Sequence, residues 1–217
     1  MKYLLAIIFI AVPPLRPVDV GPVVSDIESH LPAGHPYYDS DRITWVHEGT
    51  HGINSRLRNL YGCPAFYVLK NRAVLLNEPD TTLAKVARRV PKSLRGSVYS
   101  LYLIQMQGYW NQQPSYVFDE WVAYTNGAEA RRQLGITSRG ETVDYALEFC
   151  IYAACVPWAA NSDDPKLKAF YKWQVERVLR FNPHGLDKLK TAQDAESLRQ
   201  FLRSYCGSTW TKKNLGF

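Results

Sequence analysis

The stretch Trp45-Val46-His47-Glu48-Gly49-Thr50-His51-Gly52 carries two histidines four residues apart, with a glutamate directly after the first. On an α-helix a four-residue step returns side chains to one face, about 6 Å further along the axis. Both imidazoles can therefore reach a single metal ion. Glu48 lies beside that face, where a carboxylate can take a proton from water. The flanks write the helix itself. Ser40-Asp41 offers an N-cap, and Gly62 followed by Pro64 is a stop. Ile43, Val46, Ile53, Leu57 and Leu60 recur at three- and four-residue steps and form a core-facing stripe. The pattern predicts a helix over 41–61 with His47, His51 and Asn54 opposite the stripe.

Downstream, the apolar runs Ala65–Leu69 and Ala73–Leu76 flank the polar turn Lys70-Asn71-Arg72, which reads as a β-hairpin. Beyond Pro79 helical patterns fill 81–89, 93–110, 115–134, 141–156, 165–181 and 193–206, punctuated by Pro91, Pro114, Gly135, Pro157 and Pro183. The apolar segment Tyr99–Trp110 reads as the central core helix, and residues 18–38 as an irregular or weakly β lead-in. The expected fold is α+β and mainly α-helical: one small sheet or hairpin, an active-site helix and a C-terminal helical bundle. No internal repeat divides the chain, so 18–217 reads as a single domain.

Composition fits a globular chain. Of 217 residues, 46% are hydrophobic and 21% charged, which excludes a disordered polymer and a collagen-like repeat. The net charge of +6 is spread over several segments rather than gathered in a stripe, so no nucleic-acid partner is expected. Lys2 before the short apolar run Tyr3–Val12, closed by Pro13-Pro14, has the pattern of an export signal. Residues 1–17 are accordingly expected to be a signal peptide, or an anchor if uncleaved, and the protein secreted or periplasmic. Membrane association is expected only in the uncleaved case. An even count of four cysteines, Cys63, Cys150, Cys155 and Cys206, suggests two disulfides in such a compartment. Cys150 and Cys155 are too divergent on one helix to pair with each other.

A zinc ion needs a third protein ligand and an open position for water. Asp119-Glu120, set among aromatic and small residues in Tyr116–Gly127, offers the best carboxylate, and Glu148 is a more remote one. His47-Glu48-x-x-His51 resembles the zincin metallopeptidases. Leu57 and Asn54 stand where the metzincin branch places its third histidine and its glycine, so that branch is excluded. The gluzincin branch takes a Glu from a later helix, and that resemblance favours Glu120 over Asp119, because Trp121, Ala123, Tyr124 and Gly127 follow it. Peptide deformylases share the motif but draw a cysteine ligand from upstream, whereas Cys63 lies downstream. The chain departs from the family in having no substantial sheet before the active-site helix, so the 66–76 hairpin would have to supply the substrate-binding edge.

The resemblance implies an exported zinc-dependent peptidase with one zinc per chain on His47, His51 and Glu120, and with Glu48 as general base. Its partner is then a peptide or protein substrate. Two alternatives stay open: an amide hydrolase acting on a non-protein substrate such as cell-wall peptide, and a metal-binding or interaction module without turnover. Tyr116 and Tyr124 flank Glu120 by one helical turn on either side. His30, His35 and His184 have no partner at metal spacing and read as structural or exposed.

Overall fold

The computed structural model describes residues 22–35, 39–136 and 140–217; the expected export segment lies outside them. Among the described residues there are ten α-helices and one two-stranded antiparallel sheet, the mainly helical α+β class expected. None of these helices is long and apolar enough to cross a membrane. The chain divides into two compact units. One takes the residues up to Asn77 together with Val122–Thr142, the other Glu78–Trp121 with Val143–Phe217.

The first unit opens with helix α1 (Pro22–His30), where an irregular or weakly β lead-in was expected. Val23, Val24 and Ile27 supply its buried side, a three- and four-residue repeat too short to stand out beside Pro22 and Gly21. Helix α2 (Arg42–Tyr61) begins and ends where the sequence places it. The Asp41 carboxylate accepts hydrogen bonds from the backbone N–H of Ile43 and Thr44, and Gly62 closes the helix in the left-handed region at φ 66°. Burial works to raise the Asp41 pKa, but the Thr44 hydroxyl and these backbone N–H groups outweigh it and hold the carboxyl below its ordinary value.

Strands β1 (Ala65–Tyr67) and β2 (Ala73–Leu75) pair antiparallel with Phe66 opposite Val74. Their connecting turn carries three successive left-handed residues, Leu69, Lys70 and Asn71. Asp26 of α1 clamps it, accepting from the Tyr67 hydroxyl and the Lys70 backbone N–H, each at 2.8 Å. Below the hairpin, the Asn54 side chain of α2 accepts from the Tyr67 N–H at 2.6 Å. Asn54 is thus fully buried rather than on a solvated face, while Leu60, expected in the core, is 63% exposed. The core of this unit gathers Val23, Val24 and Ile27 with Trp45, Val46, Ile53 and Leu57 of α2 and the hairpin.

The second unit contains α3 (Leu83–Arg89), a π-helical segment (Ser100–Gln105) and α4 (Gln107–Trp110), followed by the N-terminal end of α5 (Tyr116–Gln133). It continues with α6 (Glu141–Ala160), α7 (Pro165–Leu179), α8 (Asp187–Thr191), α9 (Glu196–Cys206) and α10 (Ser208–Leu215). The central helix is α6, buried without a break from Phe149 to Pro157. It continues through Pro157 to Ala160, although that proline has no N–H to give the helix. The segment expected to be central, Tyr99–Trp110, lies at the surface instead. Only Leu103 of its π-helical part is buried, and Leu101 and Ile104 are exposed. Its apolar residues are dense but lack the helical repeat that would put them on one side.

The expected disulfides are absent: all four cysteines are free thiols. Cys150 and Cys155 are fully buried, and burial pushes both thiols well above the ordinary value. Each serves as a small apolar side chain, which an even count alone does not distinguish from a half-cystine.

Candidate metal centre

Two helices build the site. α2 carries His47 and His51, and α5 lies against α2 through a buried polar contact. The Asn126 amide donates to the Thr50 hydroxyl at 3.1 Å and to the Tyr67 carbonyl at 3.0 Å. The Thr50 hydroxyl in turn donates to the Val46 carbonyl at 2.8 Å. Gly127 lies close to Ile43 of α2; a Cβ there would stand 3.4 Å from the Ile43 carbonyl oxygen, an ordinary contact. Glu120, Tyr124 and Gly127 follow one another at four- and three-residue steps and share a stripe of α5. The Tyr124 ring packs against His47 with centroids 4.2 Å apart.

The Nε2 atoms of His47 and His51 stand 3.1 Å apart. A ligand atom from each histidine and a carboxylate oxygen of Glu120 all lie within 4.8 Å of one another, a group that could hold a metal ion. Two nitrogens bound tetrahedrally to zinc at about 2.05 Å are about 3.3 Å apart, so the observed separation suits a shared ion. It would also suit a hydrogen bond between the imidazoles. Glu120 joins the two histidines in that group and is only 6% exposed. Two imidazoles and one carboxylate form a donor set that zinc accepts, with a position left for water.

Asp119, the neighbouring alternative, is also buried but does not belong to the group. Glu148 is committed elsewhere, accepting from the Ser97 N–H and hydroxyl and from the Tyr152 hydroxyl. The Tyr116 ring stacks on Trp110 with centroids 5.1 Å apart. His184 is exposed and pairs with Asp187, and His30 joins the hydrogen-bonded cluster around the Tyr67 hydroxyl.

Beside His51, within the first unit, lies a cleft of about 640 Å³. Glu48, His51, Gly52 and Arg56 of α2 form one wall, and Ala33 and His35 form the other. Its size suits a short peptide segment or another small ligand. His35, read from the sequence as structural or exposed, is half-buried and lines this cleft. Its only signal was a histidine shortly before the helix cap, with no spacing to tie it to the motif. No family model, curated protein or solved structure matches the chain.

Proposed function

We propose that the chain is a zinc-dependent peptidase, with His47, His51 and Glu120 holding one zinc ion and Glu48 acting as general base. The observation that carries this reading is the convergence of two imidazole nitrogens and a buried carboxylate at the edge of a cleft that Glu48 also lines. A zinc ion there would lower the pKa of water toward about 7 and polarise the scissile carbonyl. Glu48 takes the proton of the attacking water and passes it to the leaving amine as the C–N bond breaks. Tyr124, packed on His47, restrains the imidazole orientation that binding requires. Export is proposed on the Lys2–Val12 pattern alone.

A metal-binding module without turnover is the rival reading, and Glu48 separates the two. Glu48→Gln keeps the size of the side chain but cannot accept the proton. Zinc measured by atomic absorption should remain at one per chain in this variant, while cleavage of a peptide library falls about 100- to 10,000-fold. His51→Ala should lose zinc and cleavage together. Zinc bound by the wild-type chain with no peptide cleaved would leave the module. Absence of zinc from the wild-type chain would refute both.

A further inference from the structure

We infer that the second unit carries a face that docks on an anionic lipid surface. Leu101, Ile104 and Tyr109 enter the headgroup layer, and basic residues of α3 and the turn after it meet the lipid anions. The inference stands apart from the zinc-peptidase reading and from the N-terminal apolar run. Thr81–Phe118 holds five basic residues, Lys85, Arg88, Arg89, Lys92 and Arg95, and no acidic one. From Gly96 to Phe118 there is no charged side chain at all, while tyrosine and glutamine recur. The chain-wide charge balance hides this local division into a basic half and a neutral half. All five basic residues are exposed, and none pairs with a carboxylate among the described residues. The π-helical segment turns Ser100, Leu101, Ile104 and Gln105 to solvent and buries Leu103. Tyr109, just beyond it, is 81% exposed.

Tyr99 joins the two halves. Its hydroxyl donates to the Ala87 carbonyl in the last turn of α3 at 3.0 Å, and the Arg95 guanidinium lies over its ring at 4.6 Å. Arg88 and Arg89 follow Ala87 directly, and Leu101 comes two residues after Tyr99, so the basic and apolar parts border one another. At the far end, the backbone and side-chain carbonyls of Asn111 accept from the Leu83 and Ala84 N–H groups, which holds the end of α4 against the start of α3. Three carboxylates reach the stretch, and each accepts from local donors rather than from the basic side chains. Asp194 takes Ser93, Glu148 takes Ser97 and Val98, and Glu78 takes Ser115. Unpaired cations beside an exposed leucine and isoleucine have no full complement in a nucleic acid, whose outer surface is phosphate and sugar. An anionic bilayer offers both parts: charge at its surface and hydrocarbon just below, with tyrosine and tryptophan favoured at the boundary.

The test sediments the full chain with vesicles of phosphatidylcholine containing about 30% phosphatidylserine, and with vesicles of phosphatidylcholine alone. Wild type should partition onto the anionic vesicles about 10- to 100-fold more strongly, and high salt should remove most of that difference. Arg88→Gln combined with Lys92→Gln should weaken binding to the anionic vesicles about 10- to 25-fold, since each basic residue near such a surface favours binding about fivefold. Leu101→Ser combined with Ile104→Ser should weaken it about tenfold or more, by removing the apolar area that leaves water. All four positions are exposed, so Tm should stay within about 2 °C of wild type in both pairs. Full binding by the serine pair, with loss only in the glutamine pair, overturns the proposal and leaves a face that reads charge alone, as a nucleic acid or acidic protein would. Equal binding by wild type and both pairs places lipid binding elsewhere in the chain and overturns it too. Absence of vesicle binding by wild type also refutes it, and a dimer in sedimentation velocity that the serine pair dissociates would then give the face to a second copy.

Discussion

Gly49→Ala tests the packing of α1 on the histidine-bearing helix. In an unobstructed helix interior this change stabilises by about 1 kcal/mol, because glycine loses more backbone entropy on folding than alanine. Here an added Cβ would lie 2.7 Å from Ile27 Cγ2 and 3.5 Å from Leu31 Cδ2. Carbon atoms in good contact sit about 3.5–4.0 Å apart, so Ile27 would have to retreat by roughly 1 Å. Ile27 is fully buried, with Val23 and Val24 buried on the same helix, so the retreat must carry α1 with it. Overpacking of this kind costs about 1–3 kcal/mol.

Subtracting the helix gain leaves a net loss of about 1 kcal/mol, or roughly 2–4 °C in Tm for a chain of this size. Urea unfolding in EDTA reads it without any contribution from bound metal. The control is Ile27→Ala, which alone should cost about 2–5 kcal/mol through the cavity it leaves. In that background the methyl group added by Gly49→Ala enters empty space, so the same change should turn stabilising by about 1 kcal/mol. A rise in stability for Gly49→Ala in the wild-type background would refute the close α1–α2 contact.

Two further predictions concern the cap and the cysteines. Asp41→Ala should cost about 1 kcal/mol near neutral pH by removing the N-cap of α2. Because folding lowers the Asp41 pKa, its charged-cap contribution is present above the ordinary value of 3.8 and is lost as pH falls through the lower folded value. The stability gap to wild type should therefore close in that acid window, and a gap that widens there would contradict it. Titration with a thiol reagent should find half-buried Cys63 fast and Cys150, Cys155 and Cys206 slow, since burial pushes the Cys206 thiol up to about 12 and the other two higher still. Denatured but unreduced protein should then titrate four thiols; two or none would restore the disulfides.

Glu48 is the informative residue, because it binds no metal under the proposed arrangement and yet lines the cleft. A module that only binds metal has no need of a carboxylate there. The small hairpin bears on substrate binding differently. β1 is only three residues long and β2 the same, so either edge offers few backbone groups to an extended peptide. The cleft along α2 is the larger feature available to a substrate.

What the sequence determined by itself is local. Asp41 and Gly62 bound α2 through hydrogen bonds within four residues, and His47 and His51 share a face because the helix returns every 3.6 residues. The hairpin follows equally from two apolar runs around a polar turn. Other features depend on which surfaces meet, and no local pattern reports that. Asp119 and Glu120 are adjacent and equally buried, yet only the packing of α5 on α2 through Asn126, Gly127 and Tyr124 directs Glu120 toward the histidines. The same holds for α1, whose short repeat gains its meaning from contact with Gly49, and for Leu60, left exposed although it continues the apolar stripe of α2. His35 is the clearest case. It comes seventeen residues before Gly52, and only the turn after α1 seats its ring on that glycine. Short-range hydrogen bonding and helical periodicity are written in neighbouring residues, whereas the meeting of surfaces far apart in the chain is decided by tertiary packing.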